Sequence, residues 1–474
     1  MIDGAFIYAT LSLLYTITVF SIISVVISEN RNPLKSIAWV TVLFLLPIIG
    51  MVFYLVFGRS LRRKRMITKR QRGMLLARNK VNGVEDIDNL QLTPESIQQI
   101  HLAQSLLPAA YYLGNKIDIY TNGEDKFRQF KADLIAAHSY INMQYFIFED
   151  DKIGTEISDI LIAKAKEGVD VRIIYDHLGC WKVKNSFYKR MRDAGIEVAP
   201  FFKVTFSLFT SRINWRNHRK IAVIDGEIGY IGGMNIADRY IDGLHNGVWR
   251  DTHIRIQGAA IAGLEYSFTI DWSFMGNSLL DLPIKDFDDI NGGAGMQMMV
   301  SGPMGKWSNM AFMFQKSIMN SKKRVLIQTP YFLPTESLLK ALQTTALSKV
   351  EVSIMIPRNP DSWVLKLASS SFIAECLRAG IKIYFYEAGM LHAKTIIIDD
   401  EFSTVGSSNF DYRSFEHNFE SNMFIYSKDV NKQMADIFYK DVEQCTLVDY
   451  SSWMERSTLR QRLESVIRLL SPIL

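Results

Sequence analysis

The strongest constraint on the fold of this 474-residue chain is a polar pattern that occurs twice. Each copy reads His, any residue, Lys, any four residues and Asp, and a glycine and an asparagine follow at matching offsets. The matching residues are His218, Lys220, Asp225 and Asn235 in the first copy and His392, Lys394, Asp399 and Asn409 in the second. By composition alone, one such match is expected about 0.02 times in a chain of this length. The chain has therefore been built from two related halves.

The segments before each motif repeat as well. The chain reads INMQYFIF near residue 141 and VLIQTPYFLP near residue 325, and each is followed by a helical apolar pattern and a strand, at 169–175 and 350–356. Helices that end near a glycine and lead into a strand follow at 187–201 and 372–386. Alternating strands and helices predict an α/β fold with a largely parallel or mixed sheet. The expected architecture is two tandem α/β domains related by a pseudo-twofold.

Two apolar stretches near the N-terminus predict a transmembrane hairpin. Residues 6–27 and 37–57 contain no Asp, Glu, Lys or Arg, and a polar turn separates them. A helix of that length rises roughly 32 Å, enough to cross a hydrocarbon core of about 30 Å. The alternatives are a signal peptide or two buried helices, but the first stretch is too long for a signal sequence and a second follows at once.

A run of basic residues follows the second stretch. Eight Lys and Arg residues stand between residues 59 and 72 with no acidic residue among them, so the net charge of +5 becomes −3 outside this run. Such a run predicts that both chain ends, and hence the two α/β domains, face the cytoplasm, with the run against the anionic inner leaflet. A nucleic-acid-binding protein would spread its positive charge over the folded surface, so nucleic acid is not an expected partner.

The motif residues supply the groups that phosphoryl transfer needs. Residues i and i+2 of a strand point to one face, so each motif histidine should project together with its lysine. A lysine beside a histidine is a fixed positive charge for a phosphoryl oxygen. One neutral imidazole can attack phosphorus while the other, protonated, gives a proton to the departing alkoxide. The aspartates Asp225 and Asp399 fall at strand ends, out of phase with that face, and we interpret these two motif members as structural residues that hold the turn before the glycines.

Through these motifs the sequence resembles the phospholipase D superfamily, whose paired H-x-K-(x)4-D motifs define it. More narrowly it is similar to the bacterial cardiolipin synthase family, in strings such as NWRNHRKIAVIDGEIGYIGGMNIADRY, TPYFLP, GMLHAKTIIIDDEFSTVGSSNFDYRSF and the closing RLLSPIL. The resemblance covers essentially the whole chain. One departure is Gly233, where the second copy has Ser407, so one half-site lacks a hydroxyl that could contact phosphate.

The resemblance implies an activity and roles for residues. The family transfers a phosphatidyl group from one phosphatidylglycerol to another through a phosphohistidine, giving cardiolipin and glycerol. It makes His218 the expected nucleophile and His392 the acid and then the base. It also places a carboxylate downstream of each motif to fix the histidine tautomer, and Asp251 and Glu420 fit. Substrate-binding roles fall to Asn235, Asn409 and Ser407.

The same resemblance predicts the partners of the protein. We expect no metal and no cofactor. Phosphatidylglycerol, other anionic phospholipids and the bacterial cell membrane are the expected partners, with a multi-pass anchor, and self-association into a homo-oligomer is left open. A membrane-bound phospholipase D, or a phosphatidyltransferase that uses another alcohol, would share every catalytic residue. The retention of His, Lys, Asp and Asn in both copies disfavours a scaffold with a decayed site.

The expected domains are residues 1–72, the hairpin and basic segment; residues 73–290, the first α/β domain; and residues 291–474, the second with a C-terminal amphipathic helix. Two segments are candidates for contact with the membrane interface. One is the aromatic and basic stretch 201–217, for which a buried loop is the alternative. The other is the C-terminal stretch 453–474, where leucines recur at helical spacing among arginines, although packing on the domain would produce much the same pattern.

Overall fold

The computed structural model describes residues 4–28, 33–46, 50–51, 53–54, 83–203, 215–244, 247–283, 285, 287 and 293–472. The basic run at 59–72, most of the segment 201–217 and the expected domain boundaries after residues 72 and 290 lie outside the described residues. The chain forms two compact units. The first is Met1–Leu61 with Val204–Trp215, and the second is Arg62–Lys203 with Arg216–Leu474.

The first unit contains helices α1 (Gly4–Ser28) and α2 (Pro33–Leu45). Within α1, the 21 residues Gly4–Ser24 are long and apolar enough to cross a membrane. Its threonine hydroxyls donate to carbonyl oxygens one turn earlier, as Thr10 does to Phe6 at 2.8 Å, so they need no water. The structure describes only part of the second predicted span, residues 37–46, 50–51 and 53–54. The helix α2 in this part has 13 residues. Among the described residues one helix, not two, has the length to span.

The second unit contains thirteen described helices and nineteen strands. The helices are α3 (Pro94–Leu106), α4 (Gly123–Ala136), α5 (Lys152–Lys166), α6 (Asn185–Asp193), α7 (Arg239–Asp242), α8 (Ile261–Phe274), α9 (Asn309–Asn320), α10 (Glu336–Leu347), α11 (Trp363–Arg378), α12 (Tyr412–Glu416), α13 (Lys428–Val442), α14 (Tyr450–Met454) and α15 (Thr458–Arg468). The strands are β1 (Tyr111–Tyr120), β2 (Tyr140–Tyr145), β3 (Asp170–Asp176), β4 (Glu197–Phe201), β5 (Ile221–Ile224), β6 (Ile228–Gly232), β7 (Val248–Arg250), β8 (His253–Gln257), β9 (Ala294–Ser301), β10 (Arg324–Gln328), β11 (Phe332–Leu333), β12 (Glu351–Pro357), β13 (Lys382–Tyr386), β14 (Gly389–Leu391), β15 (Thr395–Ile398), β16 (Phe402–Gly406), β17 (Phe410–Asp411), β18 (Glu420–Tyr426) and β19 (Cys445–Leu447).

Fifteen of these strands form one continuous mixed sheet with a symmetric order. The order is β19-β13-β12-β10-β15-β16-β18-β9-β1-β8-β6-β5-β2-β3-β4. The halves meet where β1 pairs antiparallel with β9, Tyr111 opposite Gln297. Outward from that seam the two halves repeat the same succession, and each carries three parallel strands, β2-β3-β4 and β10-β12-β13. The prediction of two tandem α/β domains is confirmed.

Helices cover the sheet, which explains the unbroken apolar runs in its central strands. All four residues of β15 are buried, and so are all four of β5. Strands covered on both faces have no solvent side on which to alternate polar residues. Each half has its own apolar core, one centred on Phe130 and Ile157 and the other on Phe314 and Leu342.

The motif aspartates anchor strands and do not take part in a substrate cavity. The carboxylate of Asp225 accepts hydrogen bonds from the backbone N–H groups of residues 138, 139 and 140 at 2.7 to 2.9 Å. Asp399 accepts from those of residues 322, 323 and 324. Both aspartates have positive φ, 54° and 48°, which Asp tolerates in a tight turn. They therefore hold the starts of β2 and β10, whereas the sequence had suggested that they hold the turn before the glycines.

Candidate active site

Both motif histidines line a single cavity of about 490 Å³ that is built from both halves of the second unit. The cavity also carries three cationic and two acidic side chains and a set of aromatic rings. Its lining consists of Phe146, Ile147, Arg216, His218, Asn235, Arg239, Tyr240, Leu244, Trp249, Tyr331, Asp361, Leu365, His392, Asn409, Asp411, Arg413 and Asn418. The fold therefore brings the histidines of the two half-sites to one cavity, as expected.

The motif histidines and lysines were expected to lie within strands. In the structure they lie immediately before β5 and β15 instead. Backbone hydrogen bonds from the other half hold each histidine. The N–H of His218 donates to the carbonyl of Phe419 at 2.9 Å, and the N–H of His392 donates to the carbonyl of Arg250 at 2.6 Å. Each acceptor is the residue just before one of the two expected carboxylates, so this pairing sets which carboxylate each imidazole meets.

The carboxylates are exchanged between the halves. Nδ1 of His218 lies 3.0 Å from Oε1 of Glu420, and Nδ1 of His392 lies 2.6 Å from Oδ2 of Asp251. Both carboxylates were expected to serve the histidine of their own half, and that expectation is wrong. A carboxylate at Nδ1 fixes the tautomer with the proton on that atom and leaves Nε2 for chemistry. Each imidazole is thus oriented by a side chain from the other half.

Burial shifts the titration of this cluster. Burial lowers the pKa of both histidines to about 4, against the opposite pull of their carboxylate partners. Burial alone would raise the pKa values of Asp251 and Glu420, but the charges of the histidine and lysine neighbours outweigh it and lower both. The histidines are therefore neutral at pH 7 beside two ionised carboxylates.

The two lysines lie beside the histidines and are fully buried. Nζ of Lys220 donates to the carbonyl of His218 at 2.5 Å, and Nζ of Lys394 donates to that of His392 and lies 2.9 Å from its Nδ1. Burial lowers the pKa of Lys394 to about 8 and that of Lys220 well below its usual value. Burial therefore disfavours the charged form of both lysines, and a bound phosphate would stabilise that charge.

Gly233 and Ser407 make the two half-sites unequal, in a different way from that expected. A Cβ atom at Gly233 would lie 2.1 Å from Oδ1 of Asp251, so only glycine leaves room for that carboxylate. The hydroxyl of Ser407 donates to Oε2 of Glu420 at 2.5 Å. Ser407 is fully buried and does not line the cavity, so in this structure it holds a carboxylate instead of facing substrate.

This difference predicts opposite sensitivities at equivalent positions. Gly233→Ser should displace Asp251 from His392 and lower the turnover rate by about 10- to 100-fold. Ser407→Gly removes one hydrogen bond and should lower it by about fivefold. Initial rates of the two purified variants test the prediction, with thermal unfolding as the control for folding. A Gly233→Ser enzyme as active as the parent chain would contradict it.

Asn235 and Asn409 both line the cavity, as the sequence predicted. Asn235 accepts a backbone hydrogen bond from Ile147 at 3.1 Å and donates to the hydroxyl of Tyr240 at 2.5 Å. Asn409 donates to Asp411 at 3.0 Å. Each amide therefore shapes the wall of the cavity through a second side chain.

Two arginines of the cavity escaped the sequence interpretation, although a signal for them existed. Arg239 and Arg413 each stand 21 residues after the histidine of their motif. Arg239 forms an ion pair with Glu149 at 3.2 Å, whereas Nε of Arg413 donates to Oδ1 of Asn418 at 3.3 Å. Extending the comparison of the two copies past the asparagines would have found the pair.

The arrangement is suited to phosphoryl transfer. Two oriented imidazoles and three arginines line a space large enough for a phosphodiester headgroup, and Lys220 and Lys394 lie beside the two histidines. Among the described residues, no group of three or more His, Cys, Asp or Glu side chains is placed to hold a metal ion.

Two protein-family models match this chain, one of them twice. A family model described as cardiolipin synthase, PLD-like domain matches twice, over residues 130–258 and 314–442. A second model, described as phospholipase D-nuclease N-terminal, matches residues 13–59. Each of the two matches lies within one half of the sheet.

Individual relatives match over full length. The major cardiolipin synthase ClsA of Bacillus subtilis (strain 168) is 39% identical over 477 residues, covering 98% of each chain. Cardiolipin synthase 2 of Bacillus cereus is 38% identical and covers 97% of this chain and 91% of the relative. The crystal structure of phosphatidylserine synthase from Haemophilus influenzae Rd KW20 superposes with a TM-score of 0.62 at 13% identity, over 80% of this chain and 100% of the other, which shows a shared fold.

Proposed function

The chain belongs to the cardiolipin synthase family of phospholipase D-like proteins, and from that membership we propose that its two substrates are both phosphatidylglycerol. It is a membrane-associated phosphatidyltransferase that produces cardiolipin. In the proposed reaction one phosphatidylglycerol loses its headgroup glycerol, and the terminal hydroxyl of a second receives the phosphatidyl group. The products are cardiolipin and free glycerol.

One observation carries the proposal: both motif histidines line one cavity, and each has a buried carboxylate at Nδ1. A double displacement needs a neutral nucleophile and an acid on opposite sides of one phosphorus atom. Two imidazoles contributed by opposite halves of a symmetric sheet meet that requirement. The low pKa values of the two histidines keep the nucleophile unprotonated.

In the first step Nε2 of His218 attacks phosphorus, the bond from phosphorus to the glycerol oxygen breaks, and His392 donates a proton to that oxygen. In the second step His392 takes the proton from the acceptor hydroxyl, whose oxygen attacks phosphorus, and the bond to Nε2 of His218 breaks. Lys220 and Lys394 stabilise the charge on the phosphoryl oxygens. Glu420 and Asp251 stabilise the imidazolium that forms at each stage.

The membrane provides the condition under which transfer prevails over hydrolysis. Bulk water is about 55 M, so an acceptor lipid succeeds only where water is excluded and lipid is concentrated. The apolar helix α1 supplies the anchor. Within this proposal the N-terminal region is a two-span hairpin, and the catalytic unit faces the cytoplasm, as the basic run after the second apolar stretch indicates.

Product analysis tests the proposal. Purified protein given phosphatidylglycerol alone should release cardiolipin and glycerol in equal amounts, because each transfer frees one glycerol. Phosphatidic acid with glycerol, and no cardiolipin, would instead identify a phospholipase D. Cardiolipin formed only after a different donor is added would identify another phosphatidyl donor.

Substrate binding should take up a proton. Both histidines have a pKa of about 4 because they are buried, yet the mechanism requires a protonated His392 at neutral pH. The negative phosphodiester raises that pKa on binding. A group with a low pKa in the free state and a high one in the bound state favours binding at low pH, so affinity should fall by up to about tenfold per pH unit between roughly pH 5 and 7.

Titration calorimetry with a phosphonate analogue of the lipid phosphodiester measures this proton directly, in buffers of different ionisation enthalpy. The analogue keeps one charge across the range. His392→Ala should abolish the uptake, and His218→Ala should retain it. An affinity independent of pH in the parent chain would show that the acid is protonated before substrate arrives, contrary to the proposal.

A further inference from the structure

The C-terminal helix α15 turns a stripe of apolar side chains away from the protein core. Leu459, Leu463 and Val466 form one stripe, at spacings of four and three residues, and they are 77%, 46% and 58% exposed. Leu470 continues the stripe just past the helix end and is 41% exposed. A helix of a globular protein normally turns such a stripe towards the core.

The opposite face of α15 packs on the protein through Ile467, which contacts the apolar core, and through polar side chains. Glu464 is buried and accepts two hydrogen bonds from Arg456, at 2.7 and 3.0 Å, and one from Arg460 at 3.3 Å. Arg468 lies over the ring of Phe372 in α11, 4.1 Å from its centre. These contacts fix the rotation of the helix, so the outward direction of the apolar stripe is built into the fold.

The helix lies beside the catalytic cavity. Arg460, in its first turn, lines a shallow depression together with Lys366, which is in the first turn of α11. That same turn of α11 contains Leu365, which lines the catalytic cavity, and Trp363, which is 69% exposed. The exposed stripe therefore starts near the turn of α11 that carries a cavity-lining leucine and an exposed tryptophan.

The charges around the stripe suit an anionic surface. α15 contains three arginines and one glutamate, and that glutamate is buried in an ion pair. Arg460 and Arg462 are exposed and flank the stripe on its two sides. An apolar stripe bordered by arginines is the pattern of helices that lie in the headgroup region of a bilayer.

We propose that α15 lies on the anionic phospholipid surface, with its leucine stripe among the acyl chains and Arg460 and Arg462 at the lipid phosphates, and holds the cavity edge against the lipid. The choice of lipid over protein as occupant rests on the proposed function, in which the substrate is a membrane phospholipid. The sequence left open whether the stripe packs on the domain, and the structure turns it outward.

A spin label at residue 466 tests the contact without relying on activity. The full chain carrying Val466→Cys, with Cys445→Ser to leave only the buried thiols Cys180 and Cys376, is labelled and placed in vesicles of phosphatidylcholine and phosphatidylserine in equal parts. The matched control is Leu347→Cys, since Leu347 is 63% exposed on α10, which contributes nothing to the cavity lining.

In these vesicles the label at 466 should collide more with apolar oxygen and less with a polar nickel chelate than the label at 347. The difference should shrink in pure phosphatidylcholine, because that surface has no net negative charge to attract the arginines. Equal exposure of both labels to the chelate would overturn the proposal. So would a label at 466 shielded from both reagents, which would mean that protein covers the stripe.

A second variant links the contact to substrate delivery. Because the stripe is exposed, Leu459→Gln with Leu463→Gln and Val466→Gln should leave thermal unfolding unchanged. It should lower the rate on phosphatidylglycerol vesicles by about tenfold and leave the rate on monomeric short-chain phosphatidylglycerol unchanged. Leu347→Gln should change neither. Equal vesicle rates for the triple variant and the parent chain would overturn the delivery role, whereas absence of cardiolipin from the parent chain would refute the proposed function and leave the spin-label result standing.

Discussion

Alanine at His218 is expected to lower cardiolipin synthesis by about 10⁴-fold or more, and alanine at His392 by a similar factor, yet the two enzymes should stop at different steps. Without His218 no bond to phosphorus can form. Without His392 the bond can form, but the glycerol alkoxide departs without a proton. The loss of rate alone therefore cannot assign the roles.

The nature of the leaving group separates the two steps. A donor that carries p-nitrophenol in place of glycerol needs no proton to depart, so His392→Ala should release one equivalent of nitrophenol and then stall. His218→Ala should release none. Rapid quenching into base should recover the phosphatidyl group on His218 in the stalled enzyme, because phosphohistidine is labile to acid.

The opposite pattern would reverse the assignment. If His218→Ala gives the burst and the adduct is found on His392, the nucleophile and the acid exchange roles. The near-symmetry of the site makes this a genuine test, because burial lowers the pKa of both imidazoles to about 4 and both have a carboxylate at Nδ1.

Duplication made most of the fold predictable from sequence. Two copies of a strand, helix and strand pattern imply two similar halves, and the sheet repeats one succession of strands on either side of the β1–β9 seam. The motif histidines and asparagines recur with the same spacing, and all four line one cavity. A repeated polar pattern therefore predicts which residues share a site better than it predicts the local geometry of each residue.

The partners of those histidines were not predictable, because spacing along the chain does not say which half a side chain meets. Asp251 and Glu420 follow the motifs of their own halves by 33 and 28 residues, yet strand pairing across the domain brings each to the other histidine. Ser407 was misread for the same reason: a hydroxyl that could reach phosphate reaches Glu420 first. Such contacts depend on tertiary packing that a linear pattern does not record.

The crossed pairing itself predicts which variants should behave alike. Glu420→Gln keeps the shape of the side chain, but an amide can donate to Nδ1 of His218, which moves the ring proton to Nε2 and blocks attack on phosphorus. Asp251→Asn acts in the same way on His392, which then cannot be held as a stable imidazolium. Each substitution should lower cardiolipin synthesis by about 10³-fold, in the range known for a carboxylate that orients a catalytic histidine.

The p-nitrophenyl donor shows which histidine each carboxylate serves. With crossed pairs, Asp251→Asn should give the nitrophenol burst of His392→Ala, and Glu420→Gln should fail as His218→Ala does. The double variant Glu420→Gln with His218→Ala should be no slower than His218→Ala alone, since residues that act as a unit are not additive. Pairing within each half would exchange these results, so a burst from Glu420→Gln and none from Asp251→Asn would refute the crossed arrangement. Because each imidazole depends on a carboxylate from the other half, neither half alone contains a complete catalytic pair, and the seam between β1 and β9 holds together the parts of one active site.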